Sequence, residues 1–198
     1  MLKRQVACSH NNMMVSFVNQ ALAIGVVVSH VALLIGVVYF FVNRKNPDHT
    51  PARLLMRYAD VAAIAIVLGG IALSLFYSRV AGFAPCILCV VQRYFLYPQI
   101  IFLVIAWRTQ KMWAYTVAWM LSLGGALIAL YHNYIDYGGA DLFACDALGG
   151  GVSCAKRYVM ELGYVTIPMM SLTAFVLLLI ILSFKMRRMC HNKEVINQ

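Results

Sequence analysis

Two cysteines three positions apart, Cys86 and Cys89, precede a long apolar stretch, and Arg93 follows one helical turn later. Two thiols at this spacing can bind a metal, form a structural disulfide or exchange disulfides with another protein. A helix with Pro85 in its first turn brings both cysteines into that turn, where the helix dipole stabilises a thiolate. Because the thiolate is the species that attacks a disulfide, this position favours exchange chemistry.

Arg93 is predicted to lie beneath both sulfurs. At about 100° per residue, its side chain is roughly 20° from Cys86 and roughly 40° from Cys89 around the helix. The three side chains therefore share one face, and the guanidinium leans back toward the cysteines. An arginine at membrane depth costs about 2.5 kcal/mol or more and usually has a function. We expect Arg93 to stabilise a thiolate or to bind the head of a lipid-soluble oxidant; a simple anchoring arginine is the alternative.

A second pair, Cys145 and Cys154, encloses the stretch DALGGGVS. Three consecutive glycines make this loop flexible enough for its ends to meet or for one cysteine to swing elsewhere. The pair is either a structural staple or a redox pair that a soluble partner can reach. Four thiolates can also bind zinc, although zinc ligands are usually separated by about two to four residues. Cys8 and Cys190 fit neither pair.

The elements that hold these residues are predicted to be membrane helices. The chain is 63% hydrophobic and 12% charged, whereas soluble proteins carry about 25% charged residues. Its long apolar runs are sufficient to cross a hydrocarbon core of about 30 Å as helices. The five runs are approximately 15–42, with a useful core at 21–42, then 59–78, 87–107, 112–131 and 165–184. We interpret the first as a retained helix rather than a cleaved signal peptide.

The basic residues predict the orientation of these helices, because cytoplasmic loops carry an excess of lysine and arginine. With the N-terminus outside and the C-terminus in the cytoplasm, ten of the 16 lysines and arginines are inside, five are outside, and Arg93 lies within a helix. This topology places both cysteine pairs on the outer side, where disulfides persist. The net charge of +9 then reflects cytoplasmic flanks facing anionic lipid, and no nucleic-acid partner is needed to explain it.

Three stretches of the chain resemble one known family. They are PCILCVVQR at 85–93, GALIALYHNY at 125–134 and LGYVTIPMMSLTAF at 162–175. All are similar to the DsbB/BdbC disulfide bond formation proteins, which are quinone-linked thiol oxidases of the prokaryotic cell membrane. The resemblance runs from about residue 58 to residue 184 and includes four cysteines in the same order. It implies a four-helix transmembrane bundle, here preceded by one extra N-terminal transmembrane helix.

The resemblance also implies an organisation of the chain and a role for each paired cysteine. Residues 1–57 are an N-terminal extension, 58–190 are the bundle and 191–198 are a cytoplasmic tail. By analogy, Cys145 forms a mixed disulfide with a DsbA-like, thioredoxin-fold thiol oxidase, and Cys154 passes the electrons to Cys86. Cys89 then reacts with a membrane quinone, either ubiquinone or menaquinone.

Three further residues match family positions near the quinone, and the resemblance implies no metal. They are Arg93, Gln92 and His132. Gln92 receives only a supporting role, because some family members carry glutamate there. His132 is explained equally well as an interfacial histidine that is hydrogen-bonded within the bundle. A partner oxidase of this type has a reduction potential near about −120 mV, so a strong oxidant such as a quinone is needed to recharge it.

Two other kinds of protein remain as alternatives. A protein similar to vitamin K epoxide reductase has related chemistry, but there the loop pair precedes the Cys-x-x-Cys pair, whereas here it follows. A non-enzymatic membrane subunit is the other alternative, with structural disulfides or a four-cysteine zinc site. In the extra helix, His30 is expected to be a hydrogen-bonding group of the bundle rather than a proton relay.

Overall fold

The computed structural model describes residues 2–42, 50–140 and 153–196. Within them the chain forms five helices. These are α1 (Leu2–Val42), α2 (Thr50–Arg79), α3 (Ile87–Thr109), α4 (Met112–Asp136) and α5 (Ile167–Ile196). Extended pairing in the described ranges is limited to one isolated bridge between Glu161 and Val165. The all-α fold that the sequence predicts is confirmed.

Each helix contains an apolar stretch of 22 to 25 residues, and about 20 are needed to cross a bilayer. A helix is favoured there because it satisfies its backbone hydrogen bonds internally, without water. The stretches are Met13–Ile35, Tyr58–Arg79, Ile87–Thr109, Met112–Asp136 and Ile167–Cys190. The first begins before residue 21, where the useful core was expected to start. The chain is a multi-pass membrane protein.

Helices α2 to α5 form a closed ring in which α2 packs on α3, α3 on α4, α4 on α5 and α5 on α2. The most extensive packing is that of α4 against α3 and α5. Small residues allow this close approach, since a Cβ atom on Gly124 would overlap the ring of Phe95 and one on Gly125 would overlap the ring of Phe175. Helix α1 lies outside the ring and packs on α5.

One end of the ring holds a polar group that we call the basal cluster, formed by Asp60, Gln110, Tyr115 and Lys185. Lys185 Nζ is 2.7 Å from Asp60 Oδ2, and the Tyr115 hydroxyl donates to Asp60 Oδ1 at 2.9 Å. Gln110 adopts a left-handed conformation (φ 51°) that ends α3, and α4 begins two residues later. Helices α3 and α4 therefore form a tight hairpin, and polar contacts tie all four ring helices at this end.

Candidate functional site

The opposite end of the ring, called here the cysteine end, is where α3 begins. Cys86 is the N-cap of α3 and Ile87 is its first residue. Pro85 therefore lies just before the helix and not in its first turn, where the sequence placed it. The reason is that the Cys86 carbonyl accepts the first helical hydrogen bond, from the Val90 amide, at 3.2 Å. Cys89 remains in the first turn, as predicted.

The two sulfurs and one histidine form a compact group. Cys86 Sγ is 3.3 Å from Cys89 Sγ and 3.6 Å from His132 Nε2. Gln92 Nε2 is 3.4 Å from His132 Nδ1. When the Gln92 amide donates to Nδ1, the ring proton is on Nε2 and faces the Cys86 sulfur. In that arrangement Gln92 orients the His132 ring so that its Nε2 proton favours a thiolate on Cys86.

Cys86 is acidic for a thiol. It lies one residue outside the apolar span of α3 and is 6% exposed. The hydrogen bond with Cys89 and the neighbouring His132 lower the pKa of the Cys86 thiol well below its usual value, against the opposing effect of burial. Hydrogen bonds to the charged form, from the Cys89 thiol and from the His132 ring, stabilise a thiolate. Of the two sulfurs in the pair, Cys86 is thus the one that carries the negative charge.

A cavity of about 310 Å³ opens beside this group. It lies between α2, α3 and α5, and its wall includes Cys86, Cys89, Gln92, Arg93 and His132. The rest of the wall is mainly apolar. Its apolar and small residues include Ala65, Ile66, Gly69, Gly70, Leu73, Leu96, Ala174 and Phe175. The structure thus brings the first cysteine pair and all three predicted cofactor-binding residues to one cavity, which suits a small apolar ligand with a few polar groups.

Arg93 is bound to α2 rather than directly to the sulfurs. Its Nη2 donates to the Ser74 carbonyl at 3.1 Å and also to the Ser78 hydroxyl. Its Nε atom is buried without a hydrogen-bond partner among the described residues. A buried donor without a partner is costly. The guanidinium is therefore held in place by α2, and its Nε is a donor that the described residues leave unused.

Comparison with known proteins agrees with the thiol chemistry that this geometry indicates. The family model described as "Disulfide bond formation protein DsbB" matches residues 56–184, which include most of α2, all of α3 and α4, and most of α5. The chain belongs to the DsbB family. As a member of a disulfide bond formation family it is a membrane thiol oxidoreductase.

Individual relatives support the DsbB assignment. The chain is 38% identical over 127 residues to "SPbeta prophage-derived disulfide bond formation protein B" of Bacillus subtilis, covering 63% of this chain and 84% of that protein. It is 31% identical over 129 residues to "Disulfide bond formation protein C" of Bacillus subtilis, covering 65% of this chain and 90% of that protein. A third relative, "Probable disulfide formation protein C 1" of Bacillus anthracis, is 36% identical over 103 residues, with 52% of this chain and 73% of that protein covered. No solved structure matches the chain.

The second cysteine pair of this DsbB-family chain is described only in part. Cys154 is buried and packs in one cluster with Cys86, Leu88 and Ile135. Cys145 lies outside the described residues, as does the side chain of Cys8. Cys190 is exposed in α5, beyond the stretch that the family model matches. The structure therefore brings Cys154 close to the first pair, and the role of Cys145 stays a prediction.

Sequence reasoning missed an ion pair at the cysteine end. Arg157 Nε lies 3.2 Å from Asp136 Oδ1, and the guanidinium also donates to the Asp136 carbonyl. Asp136 is the last residue of α4, and Arg157 follows Cys154 by three positions. The pair therefore fixes the segment that carries Cys154 against the bundle. In the sequence, Arg157 is only one of five basic residues on the predicted outer side, so no local signal identifies its partner.

The same group of side chains has the composition of a metal site. The ligand atoms of Cys86, Cys89 and His132 all lie within 4.8 Å of one another. Two thiolates and one imidazole are ligands that zinc prefers. The four-cysteine site considered from the sequence also requires Cys145, which lies outside the described residues. Among the described residues, this Cys₂His group is the set that could hold a metal.

Proposed function

We propose that this DsbB-family protein reoxidises an extracytoplasmic, thioredoxin-fold thiol oxidase and transfers the electrons to a membrane quinone. The observation that carries the proposal is the shared cavity. A reactive cysteine pair, an arginine with a free buried donor and a histidine all line one mainly apolar space between the helices. Such a space suits an oxidant that arrives through the lipid, because an apolar ring with polar oxygens matches both parts of its wall.

The residues present fit the head group of a quinone. Its carbonyl oxygens accept hydrogen bonds, and Arg93, whose buried Nε has no partner among the described residues, is part of the cavity wall. Gly69 of α2 leaves room for a flat ring, because a Cβ atom there would meet nothing within 4 Å. When bound, the quinone supplies a final acceptor for two electrons and two protons. Cys89, Arg93 and His132 are the residues that we assign to hold it, and Gln92 supports His132.

Within the chain, we propose that the electrons move by two disulfide exchanges. The partner's two thiols are oxidised to a disulfide while a Cys145–Cys154 disulfide is reduced. Cys154 then attacks a Cys86–Cys89 disulfide at Cys86, which forms a Cys86–Cys154 bond and releases Cys89 as a thiolate. The packing of Cys154 in one cluster with Cys86 supports this choice of sulfur. The released Cys89 faces the cavity that Arg93 also lines.

The acidity of Cys86 supports the direction of this transfer. Its thiolate is stabilised by hydrogen bonding with Cys89 and by His132. A stabilised reduced form makes the corresponding disulfide a stronger oxidant. A strong oxidant is required here because thiol oxidases of the proposed partner class have potentials near about −120 mV.

The charges that flank the helices support one assignment of the cysteine end to a side of the membrane. Ten lysines and arginines on one side against five on the other favour an extracytoplasmic position for the cysteine end. The N-terminus would then be outside and the C-terminus in the cytoplasm. Disulfide chemistry on that side is compatible with its oxidising conditions.

The decisive experiment is quinone reduction by the purified full chain with a reduced thioredoxin-fold donor. Wild type is expected to oxidise the donor and to reduce one quinone for each donor disulfide formed. Replacing Cys86, Cys89, Cys145 or Cys154 singly by alanine is expected to abolish turnover. Cys190→Ala is the matched control, because Cys190 is exposed in α5 outside the cavity. If Cys86→Ala and Cys145→Ala both leave donor oxidation intact, the proposal is wrong.

Zinc binding is a second candidate function, because the Cys₂His group has suitable ligands close together. Under this alternative, the protein purified under reducing conditions holds about one zinc per chain, and His132→Ala loses it. The redox proposal instead expects little zinc in the wild type and rapid loss of free thiols on addition of quinone. Metal analysis together with thiol titration separates the two.

A further inference from the structure

Helix α1 presents a single face to the bundle. Asn19, Ala23 and Val26 are buried, and His30 is half-buried. Their spacing of four, three and four residues places them along one side of a helix. Residues on other sides are open, such as Phe17, which is 72% exposed, and Leu34, which is 67% exposed. Over residues 13–35 the helix is therefore anchored through one stripe, and its other sides suit lipid.

Two hydrogen bonds fix this stripe at the cysteine end. The Tyr77 hydroxyl of α2 donates to Asn19 Oδ1 at 2.8 Å, and both residues are buried. His30 Nε2 lies 3.1 Å from the Thr173 hydroxyl of α5. Between them, Ala23 and Val26 pack in one cluster with Val165 and with Met170, a residue that lines the cavity. Helix α1 thus backs the wall of the cavity although it lies before the stretch that the family model matches.

The Asn19 partner is the first ring of an aromatic stack. Tyr77 stacks on Phe83 with ring centroids 5.7 Å apart, and Phe83 stacks on Tyr158 at 4.7 Å. All three rings line the cavity. The Tyr158 hydroxyl also donates to the Ala84 carbonyl at 3.3 Å. Phe83 precedes Cys86 by three positions and Tyr158 follows Cys154 by four, so the stack joins the two segments that carry these cysteines.

We infer that α1 is a brace for the redox centre and that Asn19 is its positioning residue. By accepting the Tyr77 hydrogen bond, Asn19 holds the first ring of the stack in register with Phe83 and Tyr158. The ordered stack covers the dithiol from the water at the cysteine end and leaves the cavity as its route to an acceptor. Without the bond the stack loosens, water reaches the cysteines and the wall of the cavity loses its shape.

Labelling the reduced full chain with a charged, water-soluble maleimide tests, without any quinone, whether the aromatic stack covers the dithiol from water. The label is counted by mass spectrometry on the peptide that contains Cys86 and Cys89. Asn19→Ala and Tyr77→Phe are each expected to speed labelling about threefold to tenfold, the range that one hydrogen bond between membrane helices supports. The double variant is expected to match either single one, because both remove the same bond. Gln20→Ala is the matched control, since Gln20 is an exposed amide on the same helix, and it is expected to label at the wild-type rate.

Three results would overturn the inference: labelling of Asn19→Ala at the wild-type rate, an equal increase in Gln20→Ala, or effects of the two single variants that multiply in the double variant. Tyr77→Phe keeps the ring, so it decides the question if Asn19→Ala does not fold.

The consequence for turnover rests on the proposed function. If the proposed function holds, Asn19→Ala is expected to raise KM for a soluble quinone about threefold to tenfold and to leave kcat unchanged. A fall in kcat by the same factor contradicts the role of α1 as a brace. If the wild type reduces no quinone, the proposed function fails while the labelling result still decides the brace.

Discussion

At the scale of single residues, the chemistry depends on which sulfur carries the charge. Cys86 has two partners, the Cys89 thiol and the His132 ring, and it lies at the N-terminus of α3. The Cys89 thiol and the His132 ring stabilise a thiolate by hydrogen bonding, and the N-terminus of α3 stabilises it through the helix dipole. Cys86 is therefore the residue whose titration reports on the whole group.

The first prediction concerns the pH dependence of Cys86. Because its pKa lies below the usual value for a thiol, its thiolate persists as the pH falls, and the rate at which the reduced protein is alkylated changes little below neutral pH. His132→Ala removes one of the groups that lower the pKa of Cys86, so the midpoint of the alkylation profile is expected to move to higher pH. Cys89→Ala removes the largest cause and is expected to move it further. An unchanged midpoint in both variants contradicts the assigned hydrogen bonds.

The second prediction concerns Arg93. Its Nη2 is bound to α2 while its Nε has no partner among the described residues. Lysine keeps the positive charge but lacks the planar guanidinium, whose several N–H groups can donate to α2 and to a ligand at the same time. Arg93→Lys is expected to raise KM for quinone about tenfold, which corresponds to about 1.4 kcal/mol, with little change in KM for the protein donor. Arg108→Lys, at the other end of α3 and exposed, is the control and should leave both constants unchanged.

Much of this residue-scale arrangement is predictable from the sequence, because it depends on one helix. The angular positions of Cys86, Cys89 and Arg93 follow from the geometry of α3, and all three line one cavity. The partners of Arg93 are a different matter. Ser74 and Ser78 are ordinary polar residues of α2 in the sequence, and only the packing of α2 on α3 brings them to the guanidinium.

At the scale of elements, length and hydropathy suffice to predict five spanning helices. The apolar stretches agree with the predicted runs to within a few residues at most ends, because lipid leaves the backbone few alternatives to a helix. The sequence does not predict that α1 packs against α5 or that it contacts Tyr77. Asn19 and His30 read as polar interruptions of an apolar run, and their partners lie 58 and 143 positions away along the chain.

The third prediction concerns the α2 wall of the cavity. A Cβ atom on Gly69 meets nothing within 4 Å, so a larger side chain is accommodated without disturbing the packing. Gly69→Leu is expected to fill part of the cavity and raise KM for quinone severalfold, while the unfolding temperature stays at or above that of wild type, since leucine favours a helix more than glycine. Gly25→Leu in α1 is the matched control, because a Cβ atom on Gly25 would also meet nothing within 4 Å. Equal kinetics in both variants would show that the ligand does not use this space.

At the scale of the whole molecule, the bundle is closed by polar contacts at both ends. The Asp136–Arg157 pair holds the segment of Cys154 at the cysteine end, and the basal cluster ties the ring helices at the other. Helix-to-helix contacts in lipid gain little from the hydrophobic effect, so small residues and polar contacts carry much of the specificity. The redox site can therefore be altered at one end while the other end keeps the helices in register.

The last prediction tests that role of the basal cluster. Asp60 and Lys185 are mostly buried, with side chains 9% and 15% exposed. Removing one partner of a buried pair leaves a charge without compensation and costs about 3–5 kcal/mol. Asp60→Asn keeps an acceptor for the Tyr115 hydroxyl, so its effect reports mainly on the lost charge. Both Asp60→Asn and Lys185→Met are expected to lower the unfolding temperature, by about 2–4 °C for each kcal/mol in a chain of this length.

The double variant Asp60→Asn/Lys185→Met distinguishes charge pairing from general disruption. It contains neither charge, so it is expected to recover most of the unfolding temperature that each single variant loses. Lys111→Met is the control, since Lys111 is an exposed lysine at the same end of the bundle, and it should unfold at the wild-type temperature. Losses that add in the double variant would mean that the two residues stabilise the bundle independently. Because none of the four residues of the basal cluster lines the cavity, KM for quinone is expected to stay constant in every variant that remains folded.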